Sequence, residues 1–438
     1  MSKPLGVGVI GCGTVGSGVV KLLVEQADLY AQRLGRPIQL LRVLVRAGDK
    51  TNRTEQVPDG ALTTDPEAFF TTPGLDVVVE LGGGRGVISQ FVRRALSSGK
   101  HVVTANKALL AAEGPELFAL ARQHGVSLAF EASCCGGIPV IQALQHGLMA
   151  NRIQALYGIL NGTCNYILTE MTQAGKSYAA ALKEAQEKGY AEADPTLDVT
   201  GKDASHKLAI LASLALGVKA LDTDVRCVGI DTLDLADVRF GQELGYTIKL
   251  LGIAEQAEAG GKVALSVEPC FLHRGDLIAQ VHGSFNALSV FGHAVGHTLS
   301  YGRGAGQMPT ASAVVADVMN IAAGWYPHAF ASMKLTPDLH PPVAVLPEDE
   351  QRSRFYLRVS ALDAPGTMAK ITTILGQRGI SLSAVLQHES DAGQFVPVVI
   401  TTHAARRGDV AAALREVSAS KVTTGSPVMI RIVDLPQG

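Results

Sequence analysis

Lys107 and Lys207 are two amines whose sequence surroundings could set them at a ligand. Lys207 lies in the segment 189–217, GYAEADPTLDVTGKDASHKLAILASLALG, where Glu192, Asp194, Asp198 and Asp203 precede a run with apolar Leu208, Leu211, Leu214 and Ala215. The run has helical spacing and stops at Gly217, and a separation of four puts Asp203 and Lys207 on one helix face. Acidic groups at this end also suit the helix dipole, so one reading is capping beside a solvated face. The other reading is a cleft, in which the acidic set would hold an ammonium-bearing substrate while the amine polarises an oxygen. Lys107 ends the stretch HVVTANK, either as a helix-start lysine facing water or at the carboxyl edge of a sheet, where ligands of open α/β sheets bind. A polar turn, Asn161-Gly162-Thr163-Cys164-Asn165, leads into a helical stretch and offers a carboxylate an anion-friendly helix start.

Nearer the N-terminus, Gly11-Cys12-Gly13-Thr14-Val15-Gly16 follows an apolar strand pattern at 7–10 and opens a helical run. In the order strand, Gly-x-Gly-x-x-Gly, helix, Gly11 permits a tight turn, Gly13 lets the backbone approach a pyrophosphate, and Gly16 allows close helix packing. The helix start around Thr14 and Val15 then presents unpaired N–H groups to the anion. Such a loop at the head of alternating strands and helices predicts a dinucleotide. The next strand, 40–45, ends at Arg46, and no carboxylate appears before Asp49 to meet a ribose 2′-hydroxyl. A guanidinium there matches a 2′-phosphate, so NADP is expected ahead of NAD; a solvated arginine at a strand end is the alternative.

The elements that must position these groups follow from periodicity. From residue 5 to 131 short apolar runs (7–10, 40–45, 76–81, 101–104, 126–130) alternate with amphipathic ones (15–34, 87–98, 108–124). This alternation predicts a Rossmann-like doubly wound α/β domain over 1–133, to which about 305–334 is added. Residues 134–304 mix helical segments (177–188, 204–216) with strands (153–160, 263–267), which predicts an α+β domain for substrate binding and dimerisation. Proline-rich 335–350 reads as a linker. Beyond it, 351–438 runs strand, helix, strand, strand, helix, strand, the ferredoxin-like order.

The chain has 438 residues, 38 Lys+Arg against 40 Asp+Glu, and a formal charge of −2. There is no basic excess to neutralise a phosphate backbone, so no nucleic acid partner is expected. Apolar runs such as 208–218 fall short of the roughly 20 residues that cross a bilayer, and no membrane span is expected. Met1 to Pro4 leads almost directly into a strand with no basic-then-apolar leader. The six cysteines lack CxxC spacing, which suits reduced thiols in the cytoplasm. Cys134 and Cys135 have no obvious paired histidine for thiol catalysis, and His293 and His297 have no carboxylate between them as in HExxH.

The stretches VGVIGCGTVGSGVV, HVVTANKALLA, FEASCCGGIPVI, GILNGTCNYIL, GYAEADPTLDVTGKDASHKLAIL and YGRGAGQMPTASAVVAD, in this order, resemble the homoserine dehydrogenase family. The LDAPG segment at 362–366 is similar to the start of an ACT-type regulatory domain. The resemblance implies NADP-dependent interconversion of L-homoserine and L-aspartate 4-semialdehyde in threonine and methionine biosynthesis, with Lys207 exchanging the proton and Lys107 beside the nicotinamide and the same oxygen. It implies Glu192, Asp203 and Asp198 as substrate contacts, with Thr163 and Tyr190 in the same matched stretches, and Gly189 and Gly306 against the cofactor. A sodium ion is implied at Glu131 with the backbone carbonyls of Cys134, Gly136 and Ile138. An amino-acid effector, threonine first, and a homodimer or homotetramer are implied as well. Two stretches depart from the family pattern: Arg303 replaces the proline of GPGAG, and the loop Leu81-Gly82-Gly83-Gly84 is richer in glycine.

Chemically, oxidising an alcohol needs a hydride path and a group to take the hydroxyl proton, and the reverse reaction needs an acid. Two lysines on one oxygen are expected to repel, favouring a neutral amine on one of them. Two other readings use the same residues: a different reductase or oxidase of a small amino-acid carbonyl, and a binding protein that holds NADP and an amino acid without chemistry.

Overall fold

The structure, a computed structural model, describes residues 3–48, 57–257, 261–388 and 393–436, so Asp49 lies outside the described residues. The chain separates into two compact units. One comprises Met1–Gly162, Asp203–Val225 and Phe285–Val343; the other comprises Thr163–Lys202, Arg226–Ser284 and Ala344–Gly438.

In the first unit, six strands among the described residues form a parallel sheet in the order β3-β2-β1-β4-β5-β6. They are β1 (Leu5–Ile10), β2 (Ile38–Leu44), β3 (Leu62–Thr63), β4 (Leu75–Glu80), β5 (His101–Thr104) and β6 (Leu128–Ala129). Every residue of β1 is buried, as expected for a strand covered by helices on both sheet faces. Strand order reverses between β1 and β4, so the crevice beyond their carboxyl ends is the ligand position of this topology. The helical run expected over 15–34 is two helices, Thr14–Glu25 and Ala27–Leu34, the second closed by left-handed Gly35. A helix from much later in the chain, Gln307–Ala322, packs on the first of them. Gly18 permits the approach, since a Cβ there would stand 3.0 Å from Gln307 Cγ and 3.1 Å from Ala311 Cβ. Strands Ile153–Ile159, Phe285–Gly292 and Gly296–Arg303 form an antiparallel set, the last two joined by a hairpin at 292–296.

In the second unit, Tyr246–Gln256 and Val263–His273 pair antiparallel along their whole length. The C-terminal element has strands Arg352–Leu362, Leu382–Gln387, Phe395–Thr402 and Thr423–Val433 with helices Thr367–Gln377 and Arg407–Ala419. Its strands pair antiparallel with Arg352–Leu362 between Thr423–Val433 and Phe395–Thr402, and with Leu382–Gln387 at the outer edge, the ferredoxin-like order. Phe355, Leu357, Ile371, Leu375, Ile400 and Leu414 form its core. The last strand also pairs in parallel with Val263–His273, Cys270 opposite Arg431. Beside that junction burial would push the Glu268 carboxyl up, but Arg407 and Arg226 overcome it and hold the group low. Among the described residues no helix is long and apolar enough to cross a membrane.

Candidate active site

The glycine turn has the geometry its spacing predicts. Gly11 sits at φ +90°, and a Cβ there would lie 2.8 Å from Leu81 O; one at Gly16 would lie 2.0 Å from Gly11 O. Neither position admits a side chain, while Gly13 has nothing within 4 Å and opens outward. The Gly13 cap has no side-chain oxygen to offer, so the first N–H groups of helix Thr14–Glu25 are left for an anion. They face a groove of about 560 Å³ lined by Gly11, Gly13, Arg46, Thr64, Gly82, Gly83 and Arg85. A cradle that a Cβ would fill, with two guanidinium groups on its wall, fits the pyrophosphate and ribose of a dinucleotide. Arg46 is exposed just beyond β2.

Asn106 caps the helix Lys107–Gln123, its Oδ1 accepting from Leu109 N at 3.1 Å, which makes Lys107 the first helical residue beyond β5. Its Nζ lies 3.0 Å from Asp203 Oδ1. Asp203 stands in the first turn of helix Lys202–Leu216, and Lys207, one turn on, donates to Asp203 Oδ2 at 2.7 Å and to Leu160 O at 2.7 Å. Asn161 Nδ2 donates to the same Oδ2 at 2.8 Å, and Asn286 Nδ2 donates to Leu160 O at 3.1 Å. Side-chain exposure rises from 10% at Lys207 and 12% at Asp203 to 36% at Lys107, so the cluster runs from the interior to an open edge.

At Lys207 the electrostatics run against a neutral amine. Burial alone would raise the Asp203 carboxyl, but Lys207 and then Lys107 hold it well below the usual range. Burial likewise favours the neutral Lys207, yet Asp203 outweighs that and raises its pKa. Lys207 is not driven towards the neutral amine, because the Asp203 carboxylate beside it outweighs burial. Lys107 and Lys207 place two nitrogen donors around one carboxylate, where they can meet charge building on a nearby oxygen.

On the loop after β6, Glu131 Oε1 accepts from Ile141 N at 2.9 Å and Oε2 from Gln142 N at 2.8 Å. Burial pushes this carboxyl up to about 7, and the two amides offset that only in part. Cys135 (φ 55°) and Gly136 (φ 48°) turn the chain in the left-handed region. A Cβ on Gly136 would meet Gly304 O at 2.5 Å. A buried carboxylate is a hard-oxygen donor of the kind that fits an alkali cation. No group of three His, Cys, Asp or Glu that could hold a metal occurs among the described residues. Burial also pushes up both thiols, Cys135 to about 11, so neither is a ready nucleophile.

Arg303 ends its strand with its carbonyl accepting from Gly137 N at 3.0 Å, while its exposed side chain lies over the Phe285 ring, 5.8 Å from the centroid. Gly306, at φ +120°, caps Gln307–Ala322.

The remaining expected residues belong to the second unit. Thr163 Oγ1 donates to Tyr190 O at 2.6 Å, and the Tyr190 ring lies 4.8 Å from that of Tyr166. Gly189, at φ +73°, follows the helix Tyr178–Glu187 as its left-handed terminator. Glu192 is exposed, and its carbonyl accepts from Gln186 Nε2 at 3.2 Å. Asp198 is half-buried in the short helix Thr196–Val199, its carbonyl accepting from Cys164 Sγ at 3.1 Å. Asp194 caps Thr196 instead, Oδ1 accepting from its N at 3.1 Å.

Sequence reasoning missed Glu80 and Asn286. Glu80 is fully buried, accepting from Gly82 N at 2.8 Å and Gly83 N at 3.1 Å on Oε1 and from Thr104 Oγ1 at 2.7 Å on Oε2. A carboxylate closing the apolar run LDVVVE was its one visible signal. Asn286 opens a strand and no pattern marks it.

The family profile described as homoserine dehydrogenase matches residues 139–319, that of the homoserine dehydrogenase NAD-binding domain matches 11–131, and that of the ACT domain matches 355–419. A homoserine dehydrogenase of Pseudomonas aeruginosa is 43% identical over 99% of this chain and 100% of its own length. One from Bacillus subtilis is 40% identical over 93% of each. The crystal structure of a homoserine dehydrogenase from Thiobacillus denitrificans superposes with a TM-score of 0.92 at 43% identity, covering 99% of both chains.

Proposed function

The chain belongs to the homoserine dehydrogenase family, an oxidoreductase family, and on that premise we propose how its residues carry the interconversion of L-homoserine and L-aspartate 4-semialdehyde. A dinucleotide held on the glycine turn at Gly11 and Gly13 would supply the hydride for reduction and accept it in oxidation. Lys207 gives its proton to the aldehyde oxygen as the alcohol forms and takes it back in the reverse reaction. Lys107 orients that oxygen, and Asp203 keeps both amines in place and Lys207 charged. The observation that carries this reading is the shared carboxylate: Lys107 at 3.0 Å on Oδ1 and Lys207 at 2.7 Å on Oδ2. Glu192, Asp203, Thr163 and Tyr190, with Asp198 supporting, are proposed substrate contacts on the strength of the family pattern. Glu131 with the carbonyls of Cys134, Gly136 and Ile138 would hold a sodium ion and stiffen the loop after β6.

Gly11, Gly13 and Gly16 with the helix start at Thr14 and Val15 bind the pyrophosphate, and Gly189 and Gly306 border the cofactor. Arg46 selects NADP by pairing with the 2′-phosphate. Support comes from its position on the groove wall beyond β2. Purified chain mixed with L-homoserine is expected to reduce NADP faster than NAD. Arg46→Ala should raise the KM for NADP about 10- to 100-fold, as expected for loss of a charge-assisted pair, and leave that for NAD nearly unchanged. Equal KM values for NADP before and after the substitution would remove Arg46 from this role.

The division at 133, 304 and 350 is kept as the proposed functional boundary. We assign the ACT domain an amino-acid effector, with threonine as the first probe, place the enzyme in the cytoplasm, and expect a homodimer or homotetramer.

A further inference from the structure

We propose that Glu80 and Thr104 form a positioning pair for Lys107, through which one buried carboxylate ties the glycine loop 81–84 to the start of the lysine-bearing helix. The inference rests on the reading of Lys107 as the residue that orients the substrate oxygen.

Glu80 and Thr104 are register partners at the carboxyl ends of β4 and β5. Just beyond them both chains leave the sheet, one as the loop that backs onto Gly11, the other as the helix beginning at Lys107. An ordinary core would place an apolar side chain at position 80, because a buried carboxylate must find donors for its oxygens. Glu80 finds them in both departing segments. Oε1 takes Gly82 N and Gly83 N, and Oε2 takes the Thr104 hydroxyl at 2.7 Å. Because the hydroxyl has given its only proton to Glu80, its lone pair is fixed towards Asn106 N, which donates to it at 3.0 Å. Asn106 closes the ring, its Nδ2 donating to Gly84 O at 2.6 Å and its Oδ1 accepting from Leu109 N. Lys107 is the next residue. The polarity of the ring is thus set by one carboxylate, and the backbone from which Lys107 reaches Asp203 is fixed from both sides. Displacing a reacting group by as little as an ångström costs rate without touching binding elsewhere, so the pair acts on turnover.

The test uses Thr104→Val, which keeps the volume and removes the hydroxyl, with Thr104→Ser as the conservative restoration and Lys107→Met as background. Thr104→Val should lower kcat about tenfold with KM for L-homoserine and NADP within about twofold, and Thr104→Ser should recover most of it. In the Lys107→Met background Thr104→Val should cost little further. Glu80→Gln, near in shape but reversed in polarity towards Thr104, should reproduce the kcat loss if Thr104→Val does not fold. Full additivity of Thr104→Val with Lys107→Met, no recovery in Thr104→Ser, or unchanged kcat in both Thr104→Val and Glu80→Gln would overturn the proposal. Unchanged kcat in Lys107→Met itself would instead overturn the parent reading of Lys107 and this inference with it.

Discussion

Replacing Lys207 by Ala is expected to cut turnover about 10²-fold or more in both directions, the range lost when a positioned acid or base is removed. Affinity for the dinucleotide should stay within about twofold, because Lys207 contacts Asp203 and Leu160 and takes no part in the glycine turn. Steady-state rates from the absorbance of the reduced cofactor, with cofactor affinity by fluorescence titration, separate the two effects. Lys207→Arg should not restore the rate, since a guanidinium keeps its proton and its planar fork does not fit a single point contact. Turnover within a few-fold of the unsubstituted chain would place the proton transfer elsewhere.

Asp203→Ala is expected to cost about 3–5 kcal/mol of stability, since removing one member of a buried ion pair strands the other. Lys207 would then be buried without its carboxylate, and burial would drive its pKa down instead of up. A group with a depressed folded pKa that is charged when unfolded makes the deficit largest below that lowered value. The deficit should shrink as pH rises towards the ordinary lysine value of about 10.4. In the unsubstituted chain the sign is opposite for Asp203: its depressed pKa adds stability above the ordinary carboxylate range, lost as pH falls through it. Thermal unfolding of both proteins at neutral pH and near pH 10 reads the difference. A deficit that does not change with pH would mean that Lys207 is not the stranded charge.

What was legible beforehand has a physical cause. Strands buried on both faces read as short apolar runs, so β1, β4 and β5 are visible in the hydrophobic pattern and the glycine turn after β1 in its spacing. Helical spacing placed Asp203 beside Lys207, and the distance of 2.7 Å follows from one helical turn. The pairing of Asp203 with Lys107 joins two distant elements, and no periodicity encodes it. Without that contact the two amines look like mutually repelling neighbours, and nothing in the pattern shows that Asp203 outweighs burial and raises the Lys207 pKa.

Other elements escaped for different reasons. The strand Gly296–Arg303 is half-exposed and polar, so it lacks the apolar run that marks a buried strand. The helix break at Gln26 has no proline or glycine to announce it. Helix Pro66–Phe70 did carry a start signal, Asp65 as cap and Pro66 at its first position, but it is shorter than two turns and shows no apolar period. Glu80 is hidden because a strand-end carboxylate is usually solvated; the loop amides and the Thr104 hydroxyl around it are what make burial tolerable.

The central claim is that Lys207 exchanges the proton and that Asp203 sets when it does so. The pH dependence of kcat/KM for L-homoserine oxidation, in the unsubstituted chain and in Asp203→Asn, measures it most directly. Oxidation needs the neutral amine, so the rate should climb through the alkaline range while Asp203 holds Lys207 charged. With the anion gone, burial lowers the Lys207 pKa, and the climb should move to lower pH by about one unit or more. Superimposable profiles for the two proteins would contradict the account.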